Sequence, residues 1–130
     1  MQKAKTIAEL KGNDEYFKVE VMSNGYLPWH ISLFNYGNRL FSIVTCVENG
    51  NKSHLWQMLG EFSSDLTRLK IYPRPLTDYN SYRGSAVVIS DEFILYSTTF
   101  NERIKGSISV DGRDIIMARM PFQQLLERMK

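Results

Sequence analysis

A cysteine and a histidine are the residues of this chain that could together support nucleophilic catalysis. A thiol activated by a neighbouring imidazole attacks carbonyl carbons, so Cys46 and His30 are the pair to test. In the strands that the sequence predicts, Cys46 points inward and His30 points outward. The two side chains therefore lie on opposite faces, and we expect Cys46 to be a small core residue instead of a nucleophile.

The remaining titratable residues do not form a pattern that indicates a reaction. His54 is far from His30 in the sequence and has no metal-ligand spacing to it. The acidic pairs Asp91–Glu92 and Asp111 with Asp114 fall in predicted turns, where carboxylates serve turn formation and solvation. Glycine-rich phosphate loops and the GxSxG motif are absent from the sequence. We therefore predict no catalytic residue, no metal and no cofactor, and the sequence leans against an enzyme.

A stretch rich in arginine and tyrosine is the first candidate binding surface. Cationic side chains neutralise phosphates, and phenol rings stack on unpaired bases. The same residue types are favoured at protein interfaces. The structural alternative is a loop whose tyrosines pack on the domain edge while its arginines stay solvated. The partner-binding set consists of Arg68, Lys70, Tyr72, Arg74, Tyr79, Tyr82 and Arg83.

The second candidate surface consists of aromatic and basic residues on the outward faces of the predicted strands. Open sheets with such groups hold bases in several single-strand binders. The alternative is that these faces pack together or form a dimer interface, because exposing apolar area costs about 25 cal/mol per Å². The sheet-face set consists of Tyr16, Lys18, His30, Phe34, Phe41, Tyr96, Phe100 and Lys105.

Alternating apolar and polar residues predict a first meander of four antiparallel strands. A three-residue loop that ends with Gly25 in the left-handed conformation keeps the apolar side chains on one face. The predicted strands are 4–10, 15–22, 27–34 and 39–47. Their inward side chains are Phe17, Val19, Val21, Leu27, Trp29, Ile31, Leu33, Leu40, Ser42, Val44 and Cys46.

Leucine spacing then predicts a helix over about 53–70, with a strand at 54–62 as the competing interpretation. Residues 71–84 follow as a surface connection. They contain Pro73 and Pro75, and proline excludes a helix and discourages an interior strand.

The second half begins with the densest run of β-branched and aromatic residues, 85–100, and predicts a second four-strand meander. Pro121 suits the first turn of a closing helix. The predicted strands are 85–90, 93–100, 103–110 and 113–119, with two-residue turns at Asp91–Glu92, Asn101–Glu102 and Asp111–Gly112. The inward side chains are Ala86, Val88, Phe93, Leu95, Ile104, Ile108, Val110, Ile115 and Met117, and the helix stripe is Phe122, Leu125, Leu126 and Met129.

The predicted fold class is α+β. Two antiparallel meanders of about four strands, each followed by a helix, pack as one domain over 1–130, with halves of about 1–70 and 84–130. In topology this layout resembles that of Whirly-type single-stranded nucleic-acid binders. The resemblance implies a single-stranded DNA or RNA partner.

Composition narrows the class of protein further. The chain has 130 residues, a net charge of +2 and a single cysteine, and it has no apolar run near the roughly 20 residues that cross a bilayer. We expect a cytoplasmic protein without a membrane partner. The leading hypothesis is a non-enzymatic binding protein that contacts another protein or itself as a homo-oligomer. The alternatives are a single-stranded DNA/RNA-binding protein, and a small-ligand receptor or enzyme with a helix–sheet pocket.

Overall fold

A computed structural model describes residues 18–48, 51–100 and 113–130, and of residues 51–54, 99–100 and 113–114 it describes the backbone alone. Within these ranges the chain is mostly β, with one short helix at its C-terminal end. The elements are β1 (Glu20–Met22), β2 (Tyr26–Tyr36), β3 (Arg39–Glu48), β4 (Asn51–Phe62), β5 (Arg68–Pro75), β6 (Ser81–Ile89), β7 (Glu92–Phe100), β8 (Arg113–Pro121) and α1 (Phe122–Met129).

The strands form two sheets. The first is a mixed sheet of five strands in the order β1-β5-β4-β3-β2, and the second is an antiparallel sheet in the order β6-β7-β8. β1 pairs with β5 in parallel, although the sequence predicted a hairpin between β1 and β2. The loop between β1 and β2 has the predicted left-handed conformation, since Gly25 has a φ of 86°. The predicted strands at 4–10 and 103–110 lie outside the described residues.

The α+β fold class is wrong, because the predicted helix over 53–70 is replaced by β4 and β5. The competing interpretation, a strand at 54–62, is correct. The sequence misleads here because four consecutive residues, Gln57 to Gly60, are buried, so both faces of β4 are covered and no alternation remains. Without this helix, the resemblance to Whirly-type proteins loses its topological basis.

A tight turn between β4 and β5 replaces the middle of the predicted helix. The Asp65 carboxylate accepts hydrogen bonds from the hydroxyls of Ser63 and Thr67 at 2.8 and 2.6 Å, and from the Thr67 N–H at 3.1 Å. These bonds favour the charged form and lower the pKa of Asp65 to about 2. Leu66 completes the turn with a left-handed φ of 65°.

The predicted surface connection over 71–84 is also wrong, since β5 and β6 occupy most of it. Pro73 and Pro75 lie in β5, where the register with β4 shifts between Met58 and Gly60. A proline is tolerated at such an irregularity because the regular ladder of hydrogen bonds is already interrupted.

One core fills the space between the two sheets and α1. The ring of Phe122 is central to it, with centroids 4.8 to 5.8 Å from the rings of Tyr36, Phe41, Phe93 and Phe34. The predicted closing helix is confirmed, and all four residues of its apolar stripe are buried. Phe34 and Phe41, expected on an open face, belong to this core. For these two residues the alternative, in which the faces pack together, is correct.

The opposite face of the five-stranded sheet carries a second, smaller apolar cluster. It consists of Val44, Cys46, Met58, Leu69 and Ile71. Cys46 is buried as predicted, and burial raises the pKa of its thiol to about 12. His30 is paired with Thr45, the residue before Cys46, and successive strand residues point to opposite faces. The thiol and the imidazole therefore do not form a dyad.

Two sets of side chains predicted to point inward point outward instead. The first is in β2, an edge strand, where Leu27, Trp29, Ile31 and Leu33 are exposed. A bulge between Pro28 and His30 changes the alternation there, and the even-numbered residues that follow face the second sheet. The second set is Ile115 and Met117, which pair with Thr98 and Tyr96. The predicted inward positions in 113–119 came from continuing the alternation through residues 101–112. In the structure β8 pairs directly with β7, and this pairing sets which residues point inward.

Candidate functional site

The outer face of the three-stranded sheet carries large apolar side chains that no described element covers. We define the outer face as Val87, Ile89, Ile94, Tyr96, Ile115 and Met117. Cross-strand pairs join it into one surface, since Val87 lies opposite Ile94 and Tyr96 lies opposite Met117. All members except the half-buried Ile94 are between 44 and 78% exposed. A contiguous apolar surface of this kind is typical of an interaction site.

The hairpin geometry explains why this face is directed outward. The turn between β6 and β7 is Ser90–Asp91, one residue earlier than predicted, and its φ values of 51 and 64° suit a tight hairpin. The Asp91 carbonyl accepts a hydrogen bond from the Phe122 N–H at 2.9 Å, which fixes the start of α1. Because α1 and the core cover the inner face, the alternate residues are directed away from both.

Two described charged residues at one end of the outer face, Arg119 and Glu92, pair with each other. Arg83, opposite Thr98, lies at the other end beside the groove described below. Arg119, opposite Ile94, donates a hydrogen bond from Nε to the Glu92 carboxylate at 2.8 Å. This ion pair neutralises the charges of Arg119 and Glu92 at one end of the outer face. The remaining described side chains between the apolar ones are the hydroxyl residues Ser85 and Thr98.

Beside the outer face, two adjoining cavities lie where β6 meets β2, and we call them together the β2–β6 groove. Their volumes are about 430 and 400 Å³, and both are lined by His30 and Arg83. The first is further lined by Ser32, Gly84, Ser85, Tyr96, Ser97, Thr98 and Ile115. The second is further lined by Trp29, Thr45, Leu55 and Tyr82.

A buried polar bridge holds β6 against the first sheet and so shapes the groove. Gln57 accepts a hydrogen bond from the Thr45 hydroxyl at 3.0 Å and donates one to the Ser81 carbonyl at 3.3 Å. Ser32 donates a hydrogen bond to the Gly84 carbonyl at 3.1 Å. Glycine is needed at position 84, because a Cβ there would lie 2.6 Å from Oε1 of Gln57.

His30 carries an unsatisfied polar atom in the wall of the groove. Its Nδ1 is buried and has no hydrogen-bond partner among the described residues. Leaving such an atom unpaired costs about 1–3 kcal/mol, so each case calls for an explanation. The three other residues with an unpaired atom in the described part of the chain, Ser42, Trp56 and Ser81, line neither cavity of the groove.

The structure does not gather the predicted partner-binding set into one surface. Tyr82 and Arg83 line the groove. Tyr72 is buried in the core and donates a hydrogen bond to Glu61 at 3.1 Å, which leaves it no free surface for a partner. Lys70 lies over the Tyr72 ring at 4.7 Å. Arg68 lies 3.6 Å from the Glu20 carboxylate. Arg74 is exposed on β5. The Tyr79 hydroxyl is hydrogen-bonded to the Ser97 hydroxyl at 2.9 Å.

The sheet-face set is divided in the same way. His30 and Tyr96 line the groove, so the structure brings together two members of each predicted set. Lys18 is exposed just before β1. Tyr16, the Phe100 side chain and Lys105 lie outside the described residues. The prediction missed Trp29, Ile115 and Met117, which it placed in the core.

One sequence signal could have located the exposed position of Trp29. Pro28 lies in β2, and within sheets proline is confined to edge strands, strand ends and bulges. β2 is an edge strand, and the bulge follows Pro28 directly. No comparable signal marks Ile115 and Met117, because their register depends on the direct pairing of β7 with β8.

Comparison with protein-family models, with curated proteins and with solved structures found no match. Among the described residues, no three His, Cys, Asp or Glu side chains lie close enough together to hold a metal ion. The single described helix has eight residues and is too short to cross a membrane.

Proposed function

We propose that this protein acts by binding and not by catalysis, and that its outer face pairs with the outer face of a second copy. The exposure of five large apolar side chains on one side of a regular sheet is the observation that carries the proposal. Soluble proteins rarely leave such a contiguous surface open to water unless it has a partner.

A second copy fits this surface because its six members are apolar or aromatic and none of them is charged. Interfaces between identical chains are more apolar than those between proteins that associate transiently. In a two-fold dimer each surface meets itself, so any unpaired charge near the axis would meet its own like charge. The Arg119–Glu92 pair removes that obstacle at one end of the face.

The experiment is size-exclusion chromatography with light scattering over a range of protein concentrations. The wild-type mass should rise from one chain toward two as concentration increases. Ile115→Glu should hold the mass at one chain, because Ile115 is 78% exposed and the change places a charge in the interface. Leu66→Glu is the matched control, since Leu66 is exposed in the β4–β5 turn, outside the outer face. Its mass should follow the wild type.

The proposal is overturned if the wild type keeps the mass of one chain at every concentration. It is equally overturned if Ile115→Glu and Leu66→Glu reduce association alike. Circular dichroism of each variant verifies that a change in mass does not come from unfolding.

The other functions expected from the sequence receive less support. For nucleic acid, Arg68, Lys70 and Arg74 lie on β5, three positions from β2 in the sheet, so they do not extend the groove into a basic track. For a helix–sheet pocket, the cavity between α1 and β7–β8 has about 110 Å³. Ligand sites usually have about 300–1,000 Å³.

A further inference from the structure

We infer that the β2–β6 groove binds a small molecule that combines a planar ring with an anionic group, as a nucleoside monophosphate does. The inferred ligand differs in kind from a second copy, although Tyr96 and Ile115 belong to both the groove and the outer face. Three features of the groove support it, namely its size, its unpaired polar groups and its aromatic walls.

The groove has the dimensions of a ligand site. Each of its cavities, at about 430 and 400 Å³, is in the size range of small-molecule sites. Because His30 and Arg83 line both cavities, one ligand can occupy both and contact these two residues at their junction. The Gln57 bridge fixes β6 against the first sheet, so the walls are held by buried hydrogen bonds.

Arg83 provides the anion-binding group. None of the ion pairs among the described residues involves it. A guanidinium presents five N–H donors in a planar fork that matches carboxylate and phosphate oxygens. In contrast, Arg39, Arg68 and Arg119 are each within 4.0 Å of a carboxylate, at 2.7, 3.6 and 2.5 Å.

His30 provides a second polar contact, and it accounts for the unpaired Nδ1. A neutral imidazole nitrogen accepts or donates one hydrogen bond, according to its tautomer. A polar ligand atom in the groove would satisfy this nitrogen, which is buried without a partner in the described part of the chain. The bulge at Trp29 places His30 in the wall shared by the two cavities.

The planar part of the ligand follows from the aromatic walls. Tyr96 lines one cavity, and Trp29 and Tyr82 line the other. Trp29 is 67% exposed, an uncommon position for an indole ring that has no partner surface. Flat rings stack on such side chains whatever the identity of the base or ring.

Tryptophan fluorescence tests the inference directly. The chain has two tryptophans, so Trp56→Phe leaves Trp29 as the single reporter. Titration of this variant with adenosine monophosphate should quench the fluorescence to saturation. In that background, Arg83→Met should weaken binding about tenfold or more, the loss expected for a charge-assisted hydrogen bond. Arg74→Met removes an exposed arginine outside the groove and should leave the affinity unchanged.

Further ligands identify the anion. If adenosine binds much more weakly than its monophosphate, the anionic group is required as inferred. If benzoate binds through Arg83 as well, the site accepts carboxylates and phosphates alike, which also supports the inference. The inference is overturned if none of these compounds quenches Trp29, or if Arg74→Met weakens binding as much as Arg83→Met.

Because Tyr96 and Ile115 line the groove and also belong to the outer face, the titration uses dilute protein, in which one chain predominates. Arg83→Met then reports on the ligand, and Ile115→Glu, measured without ligand, reports on association, so failure of one experiment leaves the other intact. His30→Phe gives a second reading of the groove, with an expected loss of affinity and a thermal unfolding curve to verify the fold. Unchanged affinity in a folded His30→Phe protein would remove His30 from the site.

Discussion

In β3 of the five-stranded sheet, six consecutive side chains from Phe41 to Cys46 are buried, whereas in β7 burial alternates. Phe93, Leu95 and Ser97 face the core, and Ile94 and Tyr96 face away from it. At β3 the first sheet is thus covered on both sides, whereas at β7 the second sheet is covered on one side. Both contain isoleucine, valine and aromatic residues, so composition alone does not distinguish the structural sheet from the one available for binding.

The difference between the two sheets indicates which surface of the molecule is available for binding. Where a sheet is covered on both faces, a buried residue stabilises the fold through its packing, and its truncation should reduce stability. A large apolar residue on the outer face contributes little to the fold of one chain, and its loss should reduce association. The first of the following changes tests that division directly, and the others test the packing side of it.

The largest effect on stability is expected from Phe122→Ala. Phe122 is fully buried and contacts the rings of Phe34, Phe41 and Phe93. Truncating a buried aromatic residue lowers the free energy of unfolding by about 3–5 kcal/mol. Ile115→Ala is the matched change on the outer face, and exposed positions usually change stability by within about 0.5 kcal/mol. Urea denaturation of dilute protein measures both, and equal losses would contradict the division.

A smaller loss is expected from Gly84→Ala at the junction of the two sheets. The added methyl group would approach Gln57 Oε1 to 2.6 Å and Ile43 Cγ2 to 3.0 Å. Overpacking of this kind costs about 1–3 kcal/mol. Ser85→Ala changes the next, exposed residue of β6 and is the control, with an expected change within about 0.5 kcal/mol. A Gly84→Ala protein as stable as Ser85→Ala would show that the junction is loosely packed.

The smallest effect concerns the pH dependence of stability at the rim of the first sheet. Hydrogen bonds from Arg39, with a further one from Tyr72, lower the pKa of Glu61 in the folded protein. Since the folded pKa lies below the unfolded value, Glu61 stabilises the fold above its ordinary pKa near 4.5. This contribution is lost as the pH falls through the folded pKa. Glu61→Gln should therefore reduce the fall in stability below pH 4.5.

Arg39→Met is the companion change, because it removes the principal cause of the shift. Arg39→Met should also reduce the fall in stability below pH 4.5. The double variant should lose no more stability than either single variant. Thermal unfolding over a pH series measures all four proteins. Additive losses in the double variant would show that the two side chains stabilise the fold independently.

The elements that local pattern defines were predictable from the sequence. The strands at 27–34 and 39–47 correspond to β2 and β3, and the apolar stripe after Pro121 forms α1. The inner residues Ala86, Val88, Phe93 and Leu95 pack toward the core as predicted, although the turn lies one residue earlier. The alternation of apolar and polar residues and the residue types of turns predict these elements from a few neighbouring positions in the chain.

The rest depends on contacts between distant residues. β4 has no alternation because both of its faces are covered, and the parallel pairing of β1 with β5 joins segments far apart in the sequence. In β2 one bulged residue changes which side chains face the core. At the site, Tyr82 and Arg83 belonged to one predicted set and His30 and Tyr96 to the other. Only the packing of β6 against β2 brings the two pairs together.

Oxidation of exposed methionines by dilute peroxide, followed by mass spectrometry, measures directly whether the outer face is covered. Met117 on the outer face and Met22 in β1 are similarly exposed in one chain, at 47 and 43%. If two outer faces pair, Met117 should oxidise more slowly as protein concentration rises, while Met22 keeps a constant rate. Equal rates for the two methionines at every concentration would contradict the account.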